Sequence, residues 1–123
     1  MTYTEYFQIV RSASELSDEV FVTHWMLMPC ISSIPGTDEA NLDTTKCVLK
    51  ALHKRLNQRL PEIRALAGLS QAGLAHRFGI PVATVQNWET RDCCPIYVRL
   101  MMLELFGQWN PVTDMGVSAS AGR

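Results

Sequence analysis

The sequence predicts an all-α fold. Three observations carry that prediction. Apolar residues recur three and four positions apart along most of the chain, the spacing of one helix face. Ser and Asp residues suited to helix starts precede several of these stretches, and Gly or Pro follows them. No stretch alternates apolar and polar residues between turn signals, as a half-buried strand does.

The elements follow in order. A short first helix is expected over 3–11, with Tyr6, Phe7 and Val10 at helical spacing. Ser14 or Ser17 caps a second, with Asp18 and Glu19 in its first turn, where the positive helix end favours them. It runs to about Met28, and Pro29 stops it. The composition of CISSIPGT, residues 30–37, reads as a loop. A third helix covers 38–56, or only its second half. Val48, Leu49, Leu52 and Leu56 form its apolar stripe; Lys46, Lys50, Lys54 and Arg55 form its wet face. Shorter helices are expected over 61–67, 71–78 and 82–90, then a strongly apolar one over 96–106. Residues 108–123, QWNPVTDMGVSASAGR, lack periodicity and end in small residues, so a flexible tail is expected. There is no internal repeat at solenoid spacing. The organisation expected is a helical segment over 1–57 offering packing, dimer or partner surface, a region over 58–107, and the tail.

The 123 residues suffice for one domain with a real core, and 47% hydrophobic content marks a globular chain. The longest mainly apolar run, 20–34, is interrupted by Thr23, His24, Pro29, Ser32 and Ser33, too short and polar to span a bilayer. The N-terminus lacks the basic start and apolar block of a signal peptide, so a cytoplasmic protein without membrane partners is expected. No two of the four cysteines (Cys30, Cys47, Cys93, Cys94) have the spacing of a zinc pair. Cys93 and Cys94 are adjacent, poor geometry for joint ligation or a disulfide. Free thiols, no metal and no cofactor are expected. Net charge is −1. Residues 1–57 hold five Lys/Arg against seven Asp/Glu, a balance of −2; residues 58–107 hold five Arg against four acids, a balance of +1. An enzyme is not expected. His24, His53 and His76 stand in no catalytic motif, Ser70 reads as a cap, and there is no phosphate loop.

The window GLSQAGLAHRFGIPVATVQNWE, residues 68–89, is the most informative. Gly68 suits the left-handed end of the preceding helix, and Ser70 caps the next. Two helices crossing steeply over a short turn must approach closely. Ala75 supplies the small contact residue, and Gly79 supplies a turn position tolerant of positive φ. Leu74, Phe78, Ile80, Val85 and Trp88 are expected to close a small core. Glu89 is expected to find an intramolecular partner and His76 to be solvated. Gly73 inside a helix costs about 1 kcal/mol relative to Ala and receives no role.

This window resembles the lambda-repressor-like (Xre-type) helix-turn-helix family. IRALAGLSQAGLAHRFGIPVATVQNWE, residues 63–89, carries the resemblance. It continues in CPIYVRLMMLEL, residues 94–105, similar to the closing helix of a subgroup seen in Gram-positive bacteria and their mobile elements. The resemblance implies a compact helical domain built round the helix-turn-helix, with the N-terminal helices packed on it. It implies that the second helix lies in the DNA major groove. The matching base-contacting positions are Val82, Ala83, Thr84, Gln86 and Asn87. Asn and Gln can pair with adenine, and Val, Ala and the Thr methyl can meet thymine methyls. Gln71 matches a position that touches phosphate; Arg77 and Arg91 are candidates for further phosphate contacts. The chain departs from the family at Val82 and Ala83, where many members are basic, and at Pro81, which replaces a Ser/Thr cap. The loop after Glu89 lacks the common glycine and is one residue short.

The function so implied is a sequence-specific DNA-binding transcriptional regulator, a repressor, acting as a homodimer on an operator. Surplus apolar surface in 96–106 and 20–28 fits a two-fold interface. The alternative is a protein-interaction module, such as an antitoxin or a phage-encoded inhibitor, whose N-terminal helices bind a protein partner.

Overall fold

Local capping chemistry sets the helix boundaries of the computed structural model, which describes residues 1–118. Thr2 and Glu5 exchange side-chain and backbone hydrogen bonds at the start of α1, Tyr3–Glu15, which runs a full turn beyond the stretch expected. Ser17, not Ser14, caps α2, Asp18–Trp25. A 3₁₀ turn, Pro29–Ser33, occupies part of the expected loop. Asn41 caps α3, Leu42–Leu56, close to the longer of the two extents expected. Then come α4, Leu60–Ala67, α5, Gln71–Phe78, α6, Val82–Arg91, and α7, Ile96–Leu105. Asn110 caps α8, Pro111–Met115. All regular structure among the described residues is helical. None of these helices is long and apolar enough to cross a membrane.

The chain divides into two units: Met1–Asn57 with the chain from Trp109 onward, and Gln58–Gln108. In the first, α2 packs on α1 and α3, and α1 packs on α3. Tyr6, Ile9, Val10 and Ala13 form the buried face of α1; Phe7, expected on that face, is 45% exposed. Leu49, Leu52 and Leu56 of the expected α3 stripe are buried and Val48 is half-buried, while Lys46, Lys50 and Lys54 are exposed. Polar groups inside this unit are paired. Trp25 Nε1 donates to Ser12 Oγ at 2.7 Å, and Asn57 Nδ2 donates to the Ala13 carbonyl at 2.8 Å.

The tail differs from expectation. Trp109, Met115 and Val117 are 6%, 0% and 2% exposed. Trp109 Nε1 donates to the Tyr6 hydroxyl at 2.9 Å, and Ser33 Oγ donates to the Met115 carbonyl at 3.1 Å. The Met1 ammonium donates to the Gly116 carbonyl at 2.7 Å, and the Ser118 N–H donates to the Met1 carbonyl. A helix of five residues is too short to display a period, so its anchors look scattered in the sequence. Residues 119–123 of the expected tail lie outside the described residues. Gly116 takes φ 66°, and a Cβ there would lie 2.1 Å from the Ser33 carbonyl oxygen. No other residue type fits that position without displacing backbone.

In the second unit, α4 packs on α6 and α7, and α5 packs on α6. Leu60, Ile63, Leu74, Ala75, Val85, Leu100 and Leu103 are buried. Phe78, Ile80 and Trp88, expected to complete the core, are only half-buried. Leu60 and Ile63 of α4, outside the expected set, are 2% and 0% exposed. Phe78 meets the Phe106 ring edge-on at 5.7 Å.

Candidate nucleic-acid interface

The α5–α6 pair is built from local signals. Ser70 Oγ accepts the Gly73 N–H at 3.0 Å. A Cβ at Gly73 would stand 3.2 Å from that oxygen, so glycine keeps the cap clear, a role that no sequence signal disclosed. Gly79 ends α5 at φ 65°, and the Ile80 N–H turns back to the Ala75 carbonyl at 3.0 Å. Ala75 is 1% exposed. Pro81 starts α6 without a side-chain cap.

A polar bracket holds the pair to α4. Arg64 meets Glu89 through two parallel contacts, Nε–Oε2 at 2.6 Å and Nη2–Oε1 at 2.8 Å, the strong fork geometry of arginine and carboxylate. Arg64 Nη1 also donates to the Leu69 carbonyl at 3.1 Å. Gln71 Nε2 donates to Glu89 Oε1 at 3.2 Å. The Arg64 and Glu89 side chains are 21% and 8% exposed, so water weakens the pair little. Hydrogen bonding from Arg64 holds the Glu89 carboxyl below its ordinary pKa against the opposing effect of burial. The same bond raises Arg64. Glu89 thus has the intramolecular partner expected of it.

Val82, Ala83, Gln86 and Asn87 are exposed, and one helical turn separates the first two from the second two. They form a single face of α6. Thr84 is half-buried. Gln71 is half-buried and spends one amide N–H on Glu89. The arginines of this unit divide sharply. Arg64 is bracketed. Arg99 donates to the Cys94 and Gln58 carbonyls at 3.2 and 2.6 Å, and burial lowers its pKa. Arg59 faces Asp92 at 3.4 Å. Arg77 is exposed, its guanidinium 5.6 Å from the Phe106 ring centroid, a cation–π contact. Arg91 is exposed and without a carboxylate partner among the described residues.

Asp92 closes α6 at φ 51° and is the only non-glycine residue at positive φ among those described. The Cys93 N–H donates to the Trp88 carbonyl at 3.1 Å, and the Cys93 thiol lies 3.9 Å from the Asn87 carbonyl. Burial pushes the Cys94 thiol up to about 11. All four cysteines are free thiols. Among the described residues, no three His, Cys, Asp or Glu side chains cluster as a metal site. Searches against protein-family models, curated proteins and solved structures found no match for this chain.

Proposed function

We propose that the 58–108 unit is a helix-turn-helix of the lambda-repressor-like type that binds double-stranded DNA through α6, and that the chain is a transcriptional regulator acting as a homodimer. The observation supporting this is the exposed face of α6, held by a bracket that leaves it bare. Glu89 is neutralised inside the unit and does not confront phosphate. Gln86 and Asn87 present amides for adenine edges, and Val82 and Ala83 present methyls for thymine. Arg77 and Arg91 supply phosphate contacts.

Two arginines outside any ion pair give one copy little affinity, because phosphate neutralisation dominates binding. A dimer doubles that number and adds a second half-site about one DNA turn away. The test is binding to the chain's own upstream DNA at low salt. Asn87→Ala and Gln86→Ala each lower specific affinity by about 1–3 kcal/mol without changing the salt slope. Arg77→Ala and Arg91→Ala lower the slope, which for a dimer using both is about −4. No binding at low salt, with all four variants indistinguishable from the parent, would sink the reading.

A protein-interaction module is the second reading. It is favoured by the row Tyr97, Met101 and Leu105 on α7, which are 46%, 55% and 62% exposed. An antitoxin or phage-type inhibitor would seat its partner on such a row. A purified one-to-one complex disrupted by Met101→Asp, with no DNA affinity in the free chain, would select it over the first.

A further inference from the structure

We propose that Cys93 and Cys94 together form a chelating site for a soft trivalent thiophile, a monosubstituted arsenical, and that its binding reshapes the C-terminal end of α6. Both thiols are reachable: Cys93 is exposed and Cys94 is half-exposed. Their adjacency disfavours zinc, which demands four tetrahedral donors, and no third donor joins them among the described residues. It also disfavours a disulfide. Neighbouring Cα atoms stand about 3.8 Å apart, below the range of about 4.4–6.8 Å that ordinary disulfides span. An arsenic atom carrying one carbon substituent asks for two thiolates and no more. It inserts between the sulfurs and enlarges the eight-membered disulfide ring to nine.

The chemistry balances without an oxidant. The arsenical enters as its dihydroxide. The Cys93 sulfur forms one As–S bond, one As–O bond breaks, and the thiol proton leaves with that hydroxide as water. Cys94 repeats the exchange within the same molecule. Arsenic stays trivalent, and two waters are released.

The loop determines where the strain goes. Cys94 precedes Pro95, which restricts it to extended backbone, and Arg99 holds its carbonyl at 3.2 Å. Torsional adjustment therefore falls on Cys93 and Asp92. Asp92 is the left-handed cap of α6, and the Cys93 N–H makes the bond to Trp88 that closes the helix. Drawing the Cys93 thiol towards Cys94 also takes it from the Asn87 carbonyl, beside the exposed face of α6. The chelation stands apart from the DNA reading; only an effect on DNA affinity rests on it.

Phenylarsine oxide is the probe, with the 123-residue chain carrying Cys30→Ser and Cys47→Ser. Intact-mass spectrometry is expected to show one phenylarsenic per chain that survives excess glutathione and is removed by 2,3-dimercaptopropanol. Adding Cys93→Ser or, separately, Cys94→Ser lowers resistance to glutathione by on the order of 100-fold, the loss of an intramolecular second bond. Amide exchange of residues 88–93 in the adduct rises several-fold over the free chain, while α4 is unchanged. Both measurements are made without DNA, so neither depends on whether the chain binds it. Equal resistance in either single-thiol variant overturns the chelate. Unchanged exchange at 88–93 overturns its coupling to α6.

Discussion

The two units of this chain close in different ways. The first closes with apolar side chains and its own chain ends: Phe21, Ile9, Leu49 and Met115 are fully buried, and the Met1 ammonium reaches the Gly116 carbonyl. The second has a thinner core, with Phe78, Ile80 and Trp88 left half-buried, and adds the Arg64–Glu89–Gln71 bracket. Apolar burial has no titration of its own, whereas a charged bracket does. The units should therefore respond differently to the same perturbations.

The sharpest contrast comes from one substitution made twice. Gly116→Ala combines a left-handed backbone with a Cβ 2.1 Å from the Ser33 oxygen. Left-handed strain of about 1–2 kcal/mol adds to overpacking of about 1–3 kcal/mol, so a loss of about 3 kcal/mol is expected in urea unfolding. If 109–118 were a loose tail, the variant would unfold like the parent. Gly79→Ala shares the left-handed backbone, but its Cβ meets nothing within 4 Å. Its effect falls below that of the bracket.

Breaking the bracket comes next. Arg64→Ala leaves Glu89 largely buried without its fork. Losing one partner of a fully buried pair costs about 3–5 kcal/mol, and the remaining exposure of Arg64 brings the expectation to about 2 kcal/mol. The pH sign follows from the depressed Glu89 carboxyl. Its contribution is fully present above the unfolded-state carboxylate value of about 4.3. It is lost as pH falls through the lower folded value. Glu89→Gln should flatten the acid arm of stability below about pH 4.3 in the second unit, read by amide exchange in α4 and α6. An unchanged acid arm would show that the fork carries no stability. Gly79→Ala follows at about 1 kcal/mol, from backbone strain alone.

The contrast also explains what the sequence disclosed. Caps and turn glycines act within four residues, so Ser70, Gly79 and the limits of α5 were legible. Glu89 was read as internally partnered, but Arg64, 25 positions away with no periodic signal, was not identified as that partner. Burial of Trp109, Met115 and Val117 depends on contacts with residues near the other end of the chain, which no local pattern encodes. Trp88 and Phe78 have core chemistry, yet both are only half-buried. On α6, the resemblance alone singled out Val82, Ala83, Thr84, Gln86 and Asn87, and all but Thr84 are exposed. Gln71 was also placed by resemblance, and its hydrogen bond to Glu89 of α6 was not legible in the sequence.

The smallest expected effect concerns the end of α6. Asp92 is at once a left-handed residue and the partner of Arg59, so conformation and charge are confounded there. Two substitutions separate them. Asp92→Asn keeps a side chain that tolerates the left-handed region and removes the charge; a pair with side chains 57% and 62% exposed contributes little, so the change should stay within about 0.5 kcal/mol. Asp92→Gly removes the strain as well, but adds unfolded-chain entropy of about 0.4–1 kcal/mol that offsets much of the gain. Salt decides between the explanations. If conformation holds this turn, both variants keep the parent's stability difference from low to high ionic strength. If the ion pair holds it, the parent alone weakens with salt, because screening acts on the charge and not on φ.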